Sequence, residues 1–135
     1  MSEPDFVWPI RVYWEDTDAG GVVYYANYLK FLERARTEWL RSFGVEQTEL
    51  AEQDGVLFVV RRVEADYLKP ARFNDALSVE CRLANTSQAS VTFDQCVKRG
   101  EEVLLTARVK AACVSANEFR PARIPAHIIE KFGKA

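Results

Sequence analysis

The spacing of apolar residues changes once along this chain, from a helical period to an alternating one. Between residues 25 and 43, apolar side chains recur mostly at steps of three and four, which places them on one face of a helix. They are Tyr25, Tyr28, Leu29, Leu32, Ala35, Trp39, Leu40 and Phe43, with Phe31 widening the face. Gly44 stands where a left-handed glycine ends many helices. We predict one long amphipathic helix that lies across a sheet.

Strands are predicted on both sides of this helix. The first, at residues 6–14, is rich in aromatic and β-branched residues and contains Pro9, which suits a strand start or a sheet edge. From residue 56 onward apolar and polar residues alternate, as in half-buried strands. The further predicted strands span 56–70, 76–84, 90–98 and 103–115, with short helices at 45–55 and near Pro125. Short turns between consecutive strands favour antiparallel pairing.

The predicted fold class is therefore α+β, with one long central helix wrapped by a curved antiparallel sheet of about five strands. A chain of 135 residues suits a single domain, 1–135, and its 48% hydrophobic content is enough to form a core. Because one helix covers only one face of a sheet and leaves the sheet edges open, we expect the protein to form homo-oligomers.

Composition and cysteine spacing exclude several classes of function. The net charge of −2 provides no positive field for nucleic acid. No apolar run approaches the ~20 residues of a membrane helix, and the first residues lack the apolar core of a secretory signal, so we expect a cytoplasmic protein. Cys81, Cys96 and Cys113 form no CxxC pair, and His127 is the only histidine. We expect reduced, partly buried cysteines and neither a metal site nor a cofactor.

The segment EDTDAGG at residues 15–21 places acidic residues and glycines just before the long helix. As plain structure these are common loop residues, and Asp18 could simply cap the helix. The chemical alternative is that unpaired backbone N–H groups at the helix N-terminus stabilise a developing oxyanion. A nearby carboxylate can serve as general base or nucleophile, and Gly20 and Gly21 let the backbone approach a ligand closely. This combination suits acyl transfer to water.

The same region resembles a known family. Residues 11–40, RVYWEDTDAGGVVYYANYLKFLERARTEWL, are similar to the hotdog-fold acyl-CoA thioesterases of the 4-hydroxybenzoyl-CoA thioesterase type. The nearest branch is the tol-pal system-associated acyl-CoA thioesterase of proteobacteria, and the similarity continues through residues 58–77. The motif D-x-D-x-x-G-x-V-x-x-x-x-Y falls on Asp16, Asp18, Gly21, Val23 and Tyr28. The resemblance implies a hotdog fold, thioester hydrolysis, and dimers that pair into tetramers.

The resemblance also implies roles for individual residues. Asp18 matches the catalytic carboxylate, acting on water or attacking the thioester itself, and the backbone N–H of Tyr25 or a neighbour matches the group that polarises the thioester carbonyl. The implied substrate-binding residues are Gly20, Gly21, Val23, Asn27, Tyr28 and Ser90.

Two positions depart from the family pattern. Tyr25 stands where the tol-pal branch usually has histidine. The resemblance therefore does not specify which acyl group the protein accepts. Residues 84–90, ANTSQAS, contain no basic residue, whereas the 4-hydroxybenzoyl branch has a basic cluster there. Other side chains must then bind the coenzyme A (CoA) phosphates. The candidates are Arg61, Arg62, Arg72, Arg120 and Arg123. Each of them could instead be an ordinary solvated surface charge.

Other assignments of chemistry are weaker. His127 has no G-x-S-x-G segment to accompany it, which argues against a Ser–His–Asp triad. Glu33 and Glu38 lie on the polar face of the helix and are expected to be solvated. The tryptophans are interpreted as core or interface residues rather than ligand platforms: Trp8, Trp14 and Trp39.

Two classes of function remain open. The first is hydrolysis of acyl-CoA, or of an acyl group carried by acyl carrier protein. The second is a hotdog module that binds acyl groups or a partner protein without turnover. A role in the tol-pal system would associate the protein with the inner face of the inner membrane.

Overall fold

The computed structural model describes residues 3–133, and its elements follow the predicted order along the chain. The strands and helices in that range are β1 Phe6–Arg11, α1 Tyr28–Ser42, α2 Gln47–Gln53, β2 Val56–Tyr67, β3 Ala76–Thr86, β4 Ser90–Arg99, β5 Glu102–Ser115 and α3 Ala126–Gly133. Two short 3₁₀ turns, Trp14–Asp16 and Tyr25–Asn27, lie between β1 and α1.

All five strands form one antiparallel sheet with the order β1-β3-β4-β5-β2, which confirms the α+β class. β1 and β2 are its two edges. β2 carries a bulge at Arg61, between the pairs Val60–Ala111 and Arg62–Lys110. The bulge adds one residue to β2, so the inward-facing positions shift by one in the sequence. They are Phe58 and Val60 before the bulge, and Val63, Ala65 and Tyr67 after it.

α1 buries one face against the sheet. The buried residues of this helix are Tyr28, Phe31, Leu32, Ala35, Trp39 and Leu40. Trp39 is 1% exposed and makes edge-to-face contacts with Phe93 of β4 and Phe132 of α3. Gly44 follows the helix with a φ of +82°, as predicted. Leu29 departs from the prediction because it is exposed, on the flank of α1 that also carries Leu40.

The first strand is shorter than predicted. It ends at Arg11 because the chain then turns into the 3₁₀ segment, where the carboxylate of Asp16 accepts a hydrogen bond from the backbone N–H of Tyr13 at 2.8 Å. Trp14 lies in this turn and is 71% exposed, so a core position is wrong for it. Trp39, by contrast, belongs to the core.

The three cysteines are buried free thiols, so the predicted burial is confirmed. Burial raises the pKa of Cys81 to about 11, which keeps this thiol protonated at neutral pH. Within residues 3–133, no group of three His, Cys, Asp or Glu side chains could hold a metal ion. No helix in this part of the chain is long and apolar enough to cross a membrane.

Candidate active site

The two aspartates of the loop before α1 occupy different environments. Asp16 is 4% exposed, and both of its carboxylate oxygens are engaged. One accepts a hydrogen bond from the backbone N–H of Tyr13 at 2.8 Å, and the other from the side-chain amide of Asn27 at 2.7 Å. This carboxylate therefore fastens the loop to the start of the helix, and its burial keeps it from a ligand.

Asp18 is exposed at the tip of the same loop. Its Oδ1 accepts a hydrogen bond from the backbone N–H of Gly20 at 2.8 Å, whereas its Oδ2 has no hydrogen-bond partner within residues 3–133. A Cβ atom at Gly20 would lie 3.2 Å from Asp18 Oδ1, and Gly21 has a φ of +81°. The turn therefore favours glycine at position 21 because of its positive φ, and a side chain at position 20 would crowd the Asp18 carboxylate.

The helix begins with a 3₁₀ turn rather than directly with α1. The first hydrogen bond of this turn runs from the backbone N–H of Asn27 to the carbonyl of Tyr24 at 2.8 Å. The backbone N–H groups of Tyr25 and Ala26 donate no hydrogen bond within the described part of the chain. They are the unpaired donors that a helix N-terminus offers to an anion or a polarised carbonyl.

A group of tyrosines lines an open cavity of about 270 Å³ beside these N–H groups. Tyr67 donates a hydrogen bond from its hydroxyl to the carbonyl of Tyr25 at 2.9 Å, and the buried Tyr28 accepts one from the backbone N–H of Ala71 at 3.0 Å. Burial raises the pKa of both Tyr28 and Tyr67, so each stays a neutral phenol at physiological pH. The cavity is lined by Val23, Tyr25, Tyr28, Tyr67, Leu68, Lys69 and Pro70.

Comparison with known proteins identifies the family of the chain. Residues 12–132 match the thioesterase-like superfamily. The chain belongs to this family. It is 42% identical over 132 residues to the acyl-CoA thioesterase YbgC of Haemophilus influenzae, covering 98% of this chain and 97% of that protein. It is also 42% identical over 133 residues to the acyl-CoA thioester hydrolase YbgC of Escherichia coli O6:H1, covering 98% of each.

Solved structures give the same assignment. The crystal structure of a probable thioesterase from Bartonella henselae superposes with a TM-score of 0.84 at 38% sequence identity, covering 88% of this chain and 98% of that chain. The helix and five-stranded sheet described above are therefore the hotdog fold that the sequence resemblance implied.

The structure brings together most, but not all, of the site residues predicted for a thioesterase of this family. Asp18, Gly20 and Gly21 share one loop, and Val23 and Tyr25 line the adjoining cavity. Asn27 does not line this cavity. Its side chain is 7% exposed and donates to the Asp16 carboxylate, so within this chain its contact is with the loop.

Ser90 lies far from this loop in the same protomer. It begins β4 and pairs with Ala112, whereas Val97 pairs with Leu105 near the other end of the strand, and Leu105 pairs with Tyr67. Seven residues of strand separate Ser90 from Val97, or about 23 Å. One thioesterase chain therefore does not bring Ser90 and Asp18 together.

The five candidate arginines for CoA phosphates are scattered. Arg61 and Arg62 lie on β2, and Arg62 pairs with Glu64 at 3.1 Å. Arg120 pairs with Glu118 at 3.2 Å after the end of β5, and Arg123 is exposed nearby. Arg72 alone among the five adjoins the Asp18 loop, because it pairs with Val22 in an isolated antiparallel bridge.

Tyr67 is a site residue that sequence reasoning missed. It lies within the strand predicted at residues 56–70, and an aromatic residue in a strand carries no signal of its own. Its hydrogen bond to Tyr25 joins positions 42 residues apart, which a local motif does not encode.

Proposed function

We propose that this chain hydrolyses acyl-CoA thioesters, with Asp18 as the reacting carboxylate and the backbone N–H of Tyr25 as the donor to the thioester carbonyl. The observation that carries the proposal is the difference between the two aspartates: Asp16 is buried with both oxygens engaged, whereas Asp18 is exposed with Oδ2 unpaired within the described residues. The names of the two 42%-identical relatives support the same reaction.

The geometry suits two routes for the same overall hydrolysis. In the first, Asp18 takes a proton from water, and the resulting hydroxide attacks the thioester carbonyl carbon. In the second, Asp18 attacks that carbon, forms a mixed anhydride and is released when water hydrolyses it. In either route, the N–H of Tyr25 stabilises the oxyanion, and the C–S bond breaks to release CoA thiolate, which takes up a proton.

The tyrosine-lined cavity is the proposed place of the acyl group. It adjoins the Tyr25 backbone and has apolar and aromatic walls, which suit a hydrocarbon or aromatic acyl chain. Because the cavity is open to solvent, its walls in one protomer do not enclose a ligand.

Oligomerisation is proposed to complete the site. β2 is a sheet edge whose inward-facing side chains Val60, Val63 and Tyr67 are 49%, 37% and 47% exposed, and the exposed Leu29 lies on the α1 flank. An uncovered apolar edge of this kind suits pairing with a second copy. Ser90 could then reach the substrate only from the partner protomer, and two such dimers would form the implied tetramer.

The proposed reaction is tested by measuring thiol release from a panel of acyl-CoAs. We expect Asp18→Asn to keep the fold and lower kcat by about 10²–10⁴, the range for losing a positioned general base. Glu15→Gln is the matched control, because Glu15 is an exposed acid of the same loop. A fully active Asp18→Asn would refute the role of Asp18.

The same panel separates the alternatives for carrier and turnover. Acyl groups on acyl carrier protein should be compared with the same acyl groups on CoA. A wild-type protein that binds acyl-CoA but releases no thiol from any of these substrates would be a binding module rather than an enzyme.

A further inference from the structure

Trp14 and Phe73 form a stacked aromatic pair at the protein surface. Their ring centroids lie 3.7 Å apart with 11° between the ring planes, yet Trp14 is 71% exposed and Phe73 is 38% exposed. Single exposed aromatic side chains are common on protein surfaces. Here two rings stack on each other and still leave most of the indole in solvent. We call this pair the aromatic platform.

Hydrogen bonds hold the loops on both sides of the platform. The carbonyl of Trp14 accepts hydrogen bonds from the backbone N–H and the hydroxyl of Thr17, at 3.1 and 2.8 Å. Phe73 precedes Asn74, whose φ is +69° and whose carbonyl accepts a hydrogen bond from the Arg11 guanidinium at 2.7 Å. The platform is therefore preorganised, which lowers the entropy cost of binding a planar group.

The platform belongs to the same group of loops as the proposed catalytic carboxylate. Trp14 precedes Asp18 by four residues, so their Cα atoms are at most about 14 Å apart. On the other side, Arg72 is bridged to Val22, the residue after Gly21. A long substrate whose reacting carbon lies at Asp18 can extend across this surface and reach the platform.

Arg72 directly precedes Phe73 in the chain, which brings a long, positively charged side chain within reach of the platform. Its backbone N–H donates to the carboxylate of Asp75 at 2.8 Å, but its exposed guanidinium forms no ion pair within residues 3–133. A guanidinium in this position is available to a phosphate group. An aromatic platform close to a positively charged side chain can bind a nucleotide, because the nucleobase stacks on the rings and the cation pairs with a phosphate.

We propose that the aromatic platform and Arg72 bind the adenine nucleotide end of CoA, with the adenine ring stacked on Trp14 and a phosphate paired with Arg72. This inference rests on the proposed thioesterase function and deepens it, because it assigns the carrier of the acyl group. Acyl carrier protein has no adenine, so the platform favours CoA thioesters over carrier-protein thioesters.

The test compares one acyl group on two carriers, as the CoA thioester and as the pantetheine thioester, which lacks the nucleotide. We expect Trp14→Ala to raise KM for acyl-CoA about 5- to 10-fold at unchanged kcat, from the loss of base stacking. KM for acyl-pantetheine should stay unchanged. Trp14→Phe should restore most of the affinity, and Arg72→Gln should weaken acyl-CoA alone. Tyr13→Ala is the control, because Tyr13 is 61% exposed beside the platform.

Each outcome decides the proposal. Equal losses on both thioesters would mean that Trp14 only supports the loop, and no loss on acyl-CoA would mean that the nucleotide lies elsewhere. A wild-type protein that hydrolyses neither thioester refutes the enzyme proposal. In that case quenching of Trp14 fluorescence by CoA, measured against Trp14→Phe, still tests the platform. Quenching by pantetheine as strong as that by CoA would show that Trp14 does not bind the nucleotide and would overturn the assignment.

Discussion

The side-chain amide of Asn27 donates a hydrogen bond to the carboxylate of Asp16 at 2.7 Å, and the backbone N–H of Tyr24 donates to the Asp16 carbonyl at 2.9 Å. These two contacts join the loop that carries Asp18 to the turn whose N–H groups face the cavity. The distance between the proposed base and the proposed oxyanion donor at Tyr25 is therefore set by Asp16, which acts as a positioning residue.

Exchanging the two partners tests this coupling. Asp16→Asn leaves one side-chain oxygen for two donors, so one donor faces an NH₂ group, and we expect a loss of about 1–3 kcal/mol in the free energy of unfolding. Asn27→Asp instead buries two facing carboxylates and should also destabilise. The double exchange, Asp16→Asn with Asn27→Asp, restores one donor and one acceptor across the contact.

Chemical denaturation of the four proteins measures the coupling. We expect the double variant to recover most of the stability and activity lost in the two single variants, because the two sites interact directly. Additive losses in the double variant would mean that the contact does not position the loop.

The backbone donor is tested at Tyr25. Tyr25→Ala keeps the N–H and removes the 62%-exposed side chain, so it should retain most activity. Tyr25→Pro removes the N–H while suiting the first turn of a helix, and Tyr24 before it is already extended with a ψ of 133°. We expect kcat of Tyr25→Pro to fall about 10²–10³ below that of Tyr25→Ala, the usual loss of one oxyanion donor.

Two further observations keep this test specific. The melting profiles of the Pro and Ala variants must coincide, so that a disturbed loop is not mistaken for a lost donor. Tyr25→Phe should behave like the wild type, and a loss in Tyr25→Phe as large as in Tyr25→Pro would transfer the role to the phenol hydroxyl.

Acid stability should depend on Asp75, which closes the turn carrying Phe73 through hydrogen bonds with the backbone of Arg72. Burial by itself raises the pKa of Asp75, but hydrogen bonds from the backbone N–H of Arg72 and the guanidinium of Arg99 outweigh it, so the pKa is lowered. A lowered pKa in the folded state contributes stability that is complete above about pH 4, the unfolded value, and is lost as pH falls through the folded value.

Denaturation between pH 2 and pH 6 measures this contribution. We expect the wild type to lose stability below about pH 4 and Asp75→Asn to lose less over the same range, since it has no proton to bind. Asp66→Asn, an exposed aspartate of β2, is the control and should follow the wild type. Equal slopes for the wild type and Asp75→Asn would contradict the assignment.

Local periodicity and turn chemistry were enough to predict the helix, its end at Gly44 and the antiparallel strands, because those features depend on residues a few positions apart. Sequence could not place Trp14 on the surface, because an aromatic residue near the end of a strand is equally compatible with a buried and with an exposed position. In the site, too, local features could be predicted and tertiary contacts could not. The EDTDAGG segment identified Asp18 and its glycines, whereas the bonds of Asn27 to Asp16 and of Tyr67 to Tyr25 depend on tertiary folding.

The distance of Ser90 from the loop is likewise a property of strand register rather than of local sequence. A single bulge or a shift in pairing moves a residue along or across a sheet, and neither is visible in an alternating pattern. Ser90, one of several residues that the family resemblance assigned to the site, is therefore not brought to the Asp18 loop within a single protomer.

The proposed association along β2 can be tested with two valines on opposite edges of the sheet. Val63 on β2 is 37% exposed and faces inward, whereas Val7 on the other edge strand, β1, is 46% exposed. Val63→Asp places an unpaired charge in the proposed contact and should yield monomers by light scattering at micromolar concentration. Val7→Asp, with the same change in chemistry, should keep the wild-type mass.

Activity measured on the same samples connects the assembly to the site. If Ser90 is contributed by a partner protomer and the cavity is closed by it, monomeric Val63→Asp should lose thioesterase activity while its circular dichroism spectrum stays that of the wild type. Mixing Asp18→Asn with Ser90→Ala subunits should restore activity, because a mixed dimer then contains one site with both residues intact. An active monomer, or a mixture no more active than its components, would show that each protomer holds a complete site.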